Sequence, residues 1–445
     1  MSDPVLARQE ASASASASAS ASASASASAS ASASAAPAPT SPSLWANKKF
    51  LLLLCSFSIS QFGNTFHNIA LSLWVLQTTG SAKLMAVLTI INLLLSSLVG
   101  SIGGTFADRM SRRTIMLVTD LISTVLVAAL ALVISVPSSS FLIVAALTAM
   151  TTVSALFQSP AYQSSIVTVV GKEHVQQAVG LLNLSENICR TVGFSAGGIF
   201  VAAFGAADAI LFDAFTFVVS FLLVLAVRSL PMPTRVNQAP QEKKKFIQDL
   251  GEGMRYIWRF PFAKAVIIML PTLTLFFMPS LMLTQVMAVK VWKSSPFQFG
   301  LMEACIPLGY MLGSGLILLL GSRIRRRGFW IMGGLLCMGP MYILLSFITS
   351  ASAAIPVILL IGLTFSFCTL LINTILRLEI SEELQGRVFG TLSSIMSVAP
   401  SLGLTIVSYL SDHFSPGPVM ASIGLLLFLF ALYASTKLKV IRTYR

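Results

Sequence analysis

Apolar and polar positions alternate along this chain in long blocks, not at the short period of a half-buried strand or of an amphipathic surface helix. After residue 48, apolar stretches recur between short polar or Gly/Pro-containing breaks, and many reach the roughly 20 residues a helix needs to cross a hydrocarbon layer. The blocks predict spans over 49–76, 84–106, 113–136, 140–159, 179–204 and 207–228, then 263–289, 297–321, 329–350, 354–376, 388–411 and 417–436. In lipid, backbone polar groups must be satisfied within the protein, so each block reads as an α-helix. The expected class is therefore an all-α polytopic membrane protein with about twelve transmembrane helices in two pseudo-symmetric six-helix bundles.

Outside the blocks the chain is different. Residues 11–34 are an unbroken Ala-Ser repeat followed by Pro37, Pro39 and Pro42; such sequence buries no large side chain, so 1–46 is expected to be a disordered tail. The repeat has no charged start and no Leu- or Val-rich core, and so does not read as a signal peptide. An N-terminal six-helix bundle is assigned to 47–230 and a C-terminal bundle with a short basic tail to 263–445. Between them, 231–262 reads as a linker: Phe246, Ile247, Leu250, Met254, Ile257 and Trp258 fall on one helical face opposite Lys245, Asp249, Glu252, Arg255 and Arg259, as in a helix lying on the inner leaflet. Glu173, Gly180 and Gly193 are echoed 210 residues later by Glu383, Gly390 and Gly403, a faint repeat that fits two bundles related by an axis along the membrane normal.

Composition sharpens this. The chain is 55% hydrophobic and 10% charged, against about 25% charged in soluble domains. Its net charge of +13 would suggest nucleic acid in a soluble protein, but here the cations sit between apolar blocks, where they set topology, and no nucleic-acid partner is expected. Lys83, Lys290 and Lys293 fall in outer breaks, Arg190 falls within a span, and the remainder of the 29 Lys and Arg lie in the tails and at the inner breaks. Both termini are thus expected in the cytoplasm and the protein in the cytoplasmic membrane. The five cysteines fall in apolar segments without a pairing pattern and read as small buried hydrophobes.

The most specific motif runs from Gly104 through Asp108 and Arg109 to Arg112 and Arg113, between spans 2 and 3. A glycine allows close helix contact, an aspartate can cap or pair at a helix end, and the arginines can anchor to the cytoplasmic side. The motif resembles the signature loop of the major facilitator superfamily. That resemblance implies a gating latch made by Gly104, Asp108, Arg109, Arg112 and Arg113, holding the two halves in the outward-open state, with Asp120 close enough to be a latch partner. The matching stretch from Gly321 to Arg327 lacks the aspartate. Gly193, Gly197 and Gly198 in span 5 resemble the helix-packing motif of facilitator antiporters, with Phe194 where that motif has proline. The stretches Leu73–Leu76, Phe157–Ala161, Leu211–Phe217 and Gly253–Tyr256 resemble the macrolide-efflux and siderophore-export branch, which implies export of amphiphilic small molecules driven by protons flowing inward.

Coupling needs titratable groups inside spans, where they are costly and hence functional candidates. Glu186 and Arg190 are four apart in span 5; the pair can bind substrate, exchange a proton or only neutralise itself. Asn64, His67 and Asn68 share a face of span 1 expected to point into the cavity, with His67 either a proton site or a hydrogen-bonded structural histidine. Asp213 and Glu303 read as structural or interfacial. Phe276, Phe277, Met278, Met282, Phe365 and Phe367 read as pocket lining or as helix packing. With no phosphate-binding loop, no metal-ligand spacing and no hydrolase motif, neither enzymatic activity nor a cofactor or metal is expected. The expected function is a secondary exporter, working as a monomer, that exchanges hydrophobic or amphiphilic small molecules for protons by alternating access. Alternatives are a facilitator-type importer, a lipid transporter or a non-transporting sensor.

Overall fold

Each predicted span is a helix in the computed structural model of the chain. The structure describes residues 44–107, 111–136, 139–227, 255, 258–324, 326–380, 382–442 and 444, with side-chain surroundings for these except 100–107, 172, 322, 382–384, 386, 387 and 397. The chain divides into two units, Met1–Asn47 and Lys48–Arg445. Of the first, one 3-10 turn is described, Leu44–Ala46. The rest of the expected tail, most of the linker with its amphipathic stretch, and Asp108 and Arg109 lie outside the described residues.

In the first half the helices are α1 (Lys48–Thr79), α2 (Ala82–Ala107), α3 (Arg112–Ser135), α4 (Phe141–Gly171), α5 (Glu173–Phe204) and α6 (Ala206–Ala226). The second half holds α7 (Pro261–Lys290), α8 (Pro296–Leu320), α9 (Arg327–Phe347), α10 (Ala351–Glu379), α11 (Glu382–His413) and α12 (Pro416–Lys437), closed by the short α13 (Lys439–Arg442). Eleven are long and apolar enough to cross a membrane. The twelfth, α1, has the length, with 32 residues, but Ser56, Ser58, Ser60, Gln61, Asn64, His67 and Asn68 dilute its apolar character.

Local chemistry sets the helix starts. Ser111 caps α3 by accepting the Thr114 N–H. Ser295 and Gln298 form a reciprocal capping box at α8, with Pro296 in its first turn. The inner break expected over 160–178 is instead helical almost throughout. Hydrogen bonding runs from Phe141 to Phe204, and the only interruption is Gly171, whose φ of 71° suits a residue without Cβ. Both helices overrun the apolar block, and Pro160 is absorbed within α4. Packing is densest within each half: α1 lies against α4, α5 and α6, α8 against α10, and α9 against α12.

The C-terminal tail fixes which helix ends share a face. Tyr444 accepts the Gly328 N–H through its carbonyl at 3.1 Å, packs its ring at a tilt against Phe262 with centroids 5.5 Å apart, and donates its hydroxyl to Glu379 Oε1 at 2.6 Å. The starts of α7 and α9 and the end of α10 therefore lie together on one face of the molecule, the terminal face; the α1–α2 turn and the end of α11 lie on the far face. The cysteines divide: Cys305 and Cys368 are buried, whereas Cys55 and Cys337 are exposed on helix flanks, which corrects their reading as uniformly buried.

Candidate functional site

A cavity of about 610 Å3 opens in the part of the first half nearer the terminal face, within the range of about 300–1,000 Å3 typical of small-molecule sites. Phe57, Ser60, Gln61 and Asn64 of α1 form one wall, Gln158 and Tyr162 of α4 another, and Asn183 and Glu186 of α5 a third, with Arg112 of α3 at the edge. The wall mixes aromatic rings, amides and one carboxylate. Asn64 donates to Gln61 Oε1 at 3.2 Å, so the two amides brace each other in the wall. A second groove, of about 500 Å3, runs between α3 and α4. Its lining includes Val118, Ile122 and Met150, which are exposed on the bundle flank, and no ionisable residue, so it reads as a lipid-facing groove.

Glu186 is the carboxylate of the cavity. Arg190 follows one turn later on α5, with Nη1 3.9 Å from Glu186 Oε1 and the two side chains 53% and 38% exposed. At that separation and exposure the pair is worth little, and Glu186 stays in the cavity wall. Across the interface Glu303 of α8 lies within electrostatic reach of Arg190, with Gln285 of α7 beside it. Arg190 thus stands between an acid of its own half and one of the other.

His67 stands outside the cavity wall. Its Nδ1 lies 3.1 Å from Oδ2 of Asp213 on α6, and the Asp213 side chain is fully buried. Three residues past Asn64, the helix has turned about 300°, enough to aim His67 at α6 while Asn64 lines the cavity; Asn68 is exposed. Gly63 makes room, since a Cβ there would come within 2.5 Å of Asp213 Oδ1. Asp213, expected from the sequence to be structural or interfacial, is the partner of His67, and the sign of it in the sequence is an acid inside an apolar span.

Asp120 is buried and takes hydrogen bonds from Gln158 Nε2 and, at 3.0 Å, from Ser220 Oγ. Ser220 Oγ also lies 2.8 Å from Ser56 Oγ and 3.2 Å from Tyr162 Oη. Four helices, α1, α3, α4 and α6, are joined through this cluster, and Gln158 and Tyr162 carry it to the cavity wall. Of the arginines beyond the signature aspartate, Arg112 donates to Ser164 O at 2.8 Å and to Thr168 Oγ1 on α4. Arg113 donates to Leu225 O at 2.9 Å, satisfying a free carbonyl at the end of α6. Both contacts stay within the first half. Gly104 is in α2, but its surroundings are not described.

The three glycines of α5 have separate neighbours. A Cβ on Gly193 would meet the Thr65 side chain, and one on Gly197 would make ordinary 3.4 Å contacts with Phe66 and Ile69, all on α1. Gly198 faces the other half: a Cβ there would come 2.6 Å from Pro296 O and 3.0 Å from Gly300 Cα. Of the six aromatic and Met positions in the second half, Phe277, Met282 and Phe367 are buried and Phe276, Met278 and Phe365 partly so, with Phe277 and Phe365 stacked at 3.7 Å.

Known proteins place this architecture. The chain is 22% identical over 368 residues to macrolide efflux protein A of Streptococcus pyogenes, covering 82% of this chain and 90% of the relative. It is 23% identical to the multidrug efflux pump Tap of Mycolicibacterium fortuitum, covering 81% and 89%. A crystal structure of a bacterial homologue of the iron transporter ferroportin, in an inward-facing state, shares the fold with a TM-score of 0.69 at 13% identity, over 87% of this chain and 99% of that one. The family model of the Major Facilitator Superfamily matches residues 53–404, most of the chain and nearly all its spans, and this multi-pass membrane protein therefore belongs to that superfamily of transporters.

Proposed function

We propose that this chain is a secondary exporter of hydrophobic or amphiphilic small molecules, driven by inward proton flow and working by alternating access. The observation that carries the reading is the cavity nearer the terminal face, with aromatic and amide walls and a single carboxylate, Glu186. Macrolide efflux protein A and the pump Tap, similar over most of the chain, favour export over import. By the distribution of Lys and Arg, the terminal face is the cytoplasmic one. A substrate entering from the cytoplasm or inner leaflet meets Phe57, Tyr162 and the amides first, with Glu186 as the charged contact.

In this reading Glu186 is the group that substrate and proton compete for, and Arg190 carries the result to the other half. With Glu186 ionised, Arg190 is shared weakly between Glu186 and Glu303; when Glu186 is protonated or engaged by substrate, the guanidinium is left to Glu303 of α8. The buried His67–Asp213 pair is the second proton candidate. The latch assigned to Asp108, Arg109, Arg112 and Arg113 belongs to the outward-open state; Arg112 and Arg113 here rest on α4 and α6 of their own half. Glu186→Gln is expected to abolish substrate-dependent proton release from inverted vesicles while membrane insertion is unchanged. Undiminished proton flux in that variant would remove Glu186 from the mechanism.

A further inference from the structure

The far face holds a junction between the halves that the transport reading leaves unused. Asp412, at the end of α11, reaches across to the start of α2. Its Oδ1 accepts the Ala82 N–H at 2.8 Å, and its Oδ2 accepts the Ser81 hydroxyl at 2.9 Å and the Lys83 N–H at 3.3 Å. The first N–H groups of a helix have no partner within it and carry the positive end of its dipole. Ser81 follows the ordinary capping pattern, its oxygen accepting the Leu84 N–H at 3.4 Å. The remaining donors of α2 are satisfied by a carboxylate about 330 residues away in the other half. The Lys83 ammonium lies 4.7 Å from the centre of the Tyr409 ring, one turn back on α11.

A second contact between the halves lies on the same face. Gly198 of α5 and Gly300 of α8 bring their backbones together so closely that a Cβ on Gly300 would come 2.9 Å from Gly198 Cα. The two junctions differ in kind. Glycine packing sets how near the helices approach, whereas hydrogen bonds to a carboxylate are directional and are lost over a small separation. Opening the far face must part α2 from α11, which leaves the donors at the start of α2 and the Asp412 carboxylate to be rehydrated.

We infer that Asp412 is the clasp of the far-side gate: by capping α2 from the opposite half, it holds the far face closed and sets how readily the transporter opens there. The inference rests on the alternating-access reading for its role in a cycle, but the closed contact is a property of the fold. It assigns Asp412 as a positioning residue that touches neither substrate nor the coupling acids.

The test measures the gate directly, without substrate. Spin labels are attached at Thr78→Cys and Phe414→Cys, both exposed positions on the far face, after the five native cysteines are replaced, and distances are recorded by pulsed electron resonance in nanodiscs. Asp412→Ala is expected to raise the ratio of long to short distances by at least about tenfold, since even one hydrogen bond to a charged acceptor is worth that factor. Asp412→Asn, keeping one acceptor, should give a smaller shift, and Ser81→Ala, removing one donor, the smallest. If Asp412→Ala does not fold, the other two variants decide. Distance distributions identical to the parent in all folded variants overturn the clasp. Loss of the graded order, with Ser81→Ala opening the gate as far as Asp412→Ala, also overturns it. Failure of the transport reading shows only in vesicle flux, so the two outcomes are separable.

Discussion

The buried cluster around Asp120 makes a sharp energetic prediction. Asp120→Ala removes the acceptor of two hydrogen bonds, from Gln158 and Ser220, in a place closed to solvent. Leaving each of those two buried donors without its acceptor costs about 1–3 kcal/mol, a gross loss of roughly 2–6 kcal/mol. Deleting the carboxyl group also removes its own burial cost, which pulls the net loss toward the lower end, about 2–3 kcal/mol. Asp120→Asn preserves shape: its carbonyl can accept from Gln158 and its amide can donate to Ser220, whose own hydroxyl can turn to Ser56 or Tyr162. That variant should lose about 1 kcal/mol, the size of one ordinary hydrogen bond. The assay is reversible unfolding in mixed micelles titrated with sodium dodecyl sulfate, followed by tryptophan fluorescence. A loss below about 1 kcal/mol for Asp120→Ala, or an Asn variant no better than Ala, would refute the view that this acid ties four helices together.

Two other perturbations follow from the geometry. His67→Ala leaves Asp213 fully buried with Thr216 Oγ1, at 3.3 Å, as its remaining donor and should destabilise the protein by about 1–3 kcal/mol, whereas the double variant His67→Ala, Asp213→Ala should recover part of that loss; equal losses in both would deny the pairing. At the tail, hydrogen bonding to Glu379 raises the Tyr444 phenol above its usual range. A group whose folded value is raised contributes below its unfolded value and loses that contribution as pH climbs through the folded one. Docking of the tail should therefore weaken only in strongly alkaline solution and be pH-independent there in Tyr444→Phe, as read by protease cleavage of the tail.

The span pattern was legible because a bilayer leaves so few choices: an apolar block of sufficient length has to be a helix, and breaks announce themselves by polarity. The same logic predicts a break over 160–178 from its polar residues, where the structure has helix. Helices can overrun the membrane, and only Gly171, with its positive φ, interrupts this one. Glu186 and Asn64 were recognisable as cavity residues from their cost in a span and their place on a face. Their neighbours were not. That His67 meets Asp213, that Asp120 meets Gln158 and Ser220, and that Asp412 meets Ser81 depends on helix rotation and on packing between segments 100 residues or more apart in most cases, which periodicity does not encode. The glycines illustrate the difference: Gly193, Gly197 and Gly198 look alike in sequence, yet Gly198 alone among them abuts backbone of the other half.

The first helix carries a consequence for how the protein is made. Ser56 is completed by Tyr162 and Ser220, Ser58 by Ser185 and His67 by Asp213, partners that follow by 106 to 164 residues. The Ser58 hydroxyl can already rest on Leu54 O of its own helix, at 2.7 Å, but while α2 and α3 are still being made, His67 lacks Asp213 and Ser56 lacks both Tyr162 and Ser220. The polar side chains of α1 are thus completed only when α6, the last helix of their own half, arrives.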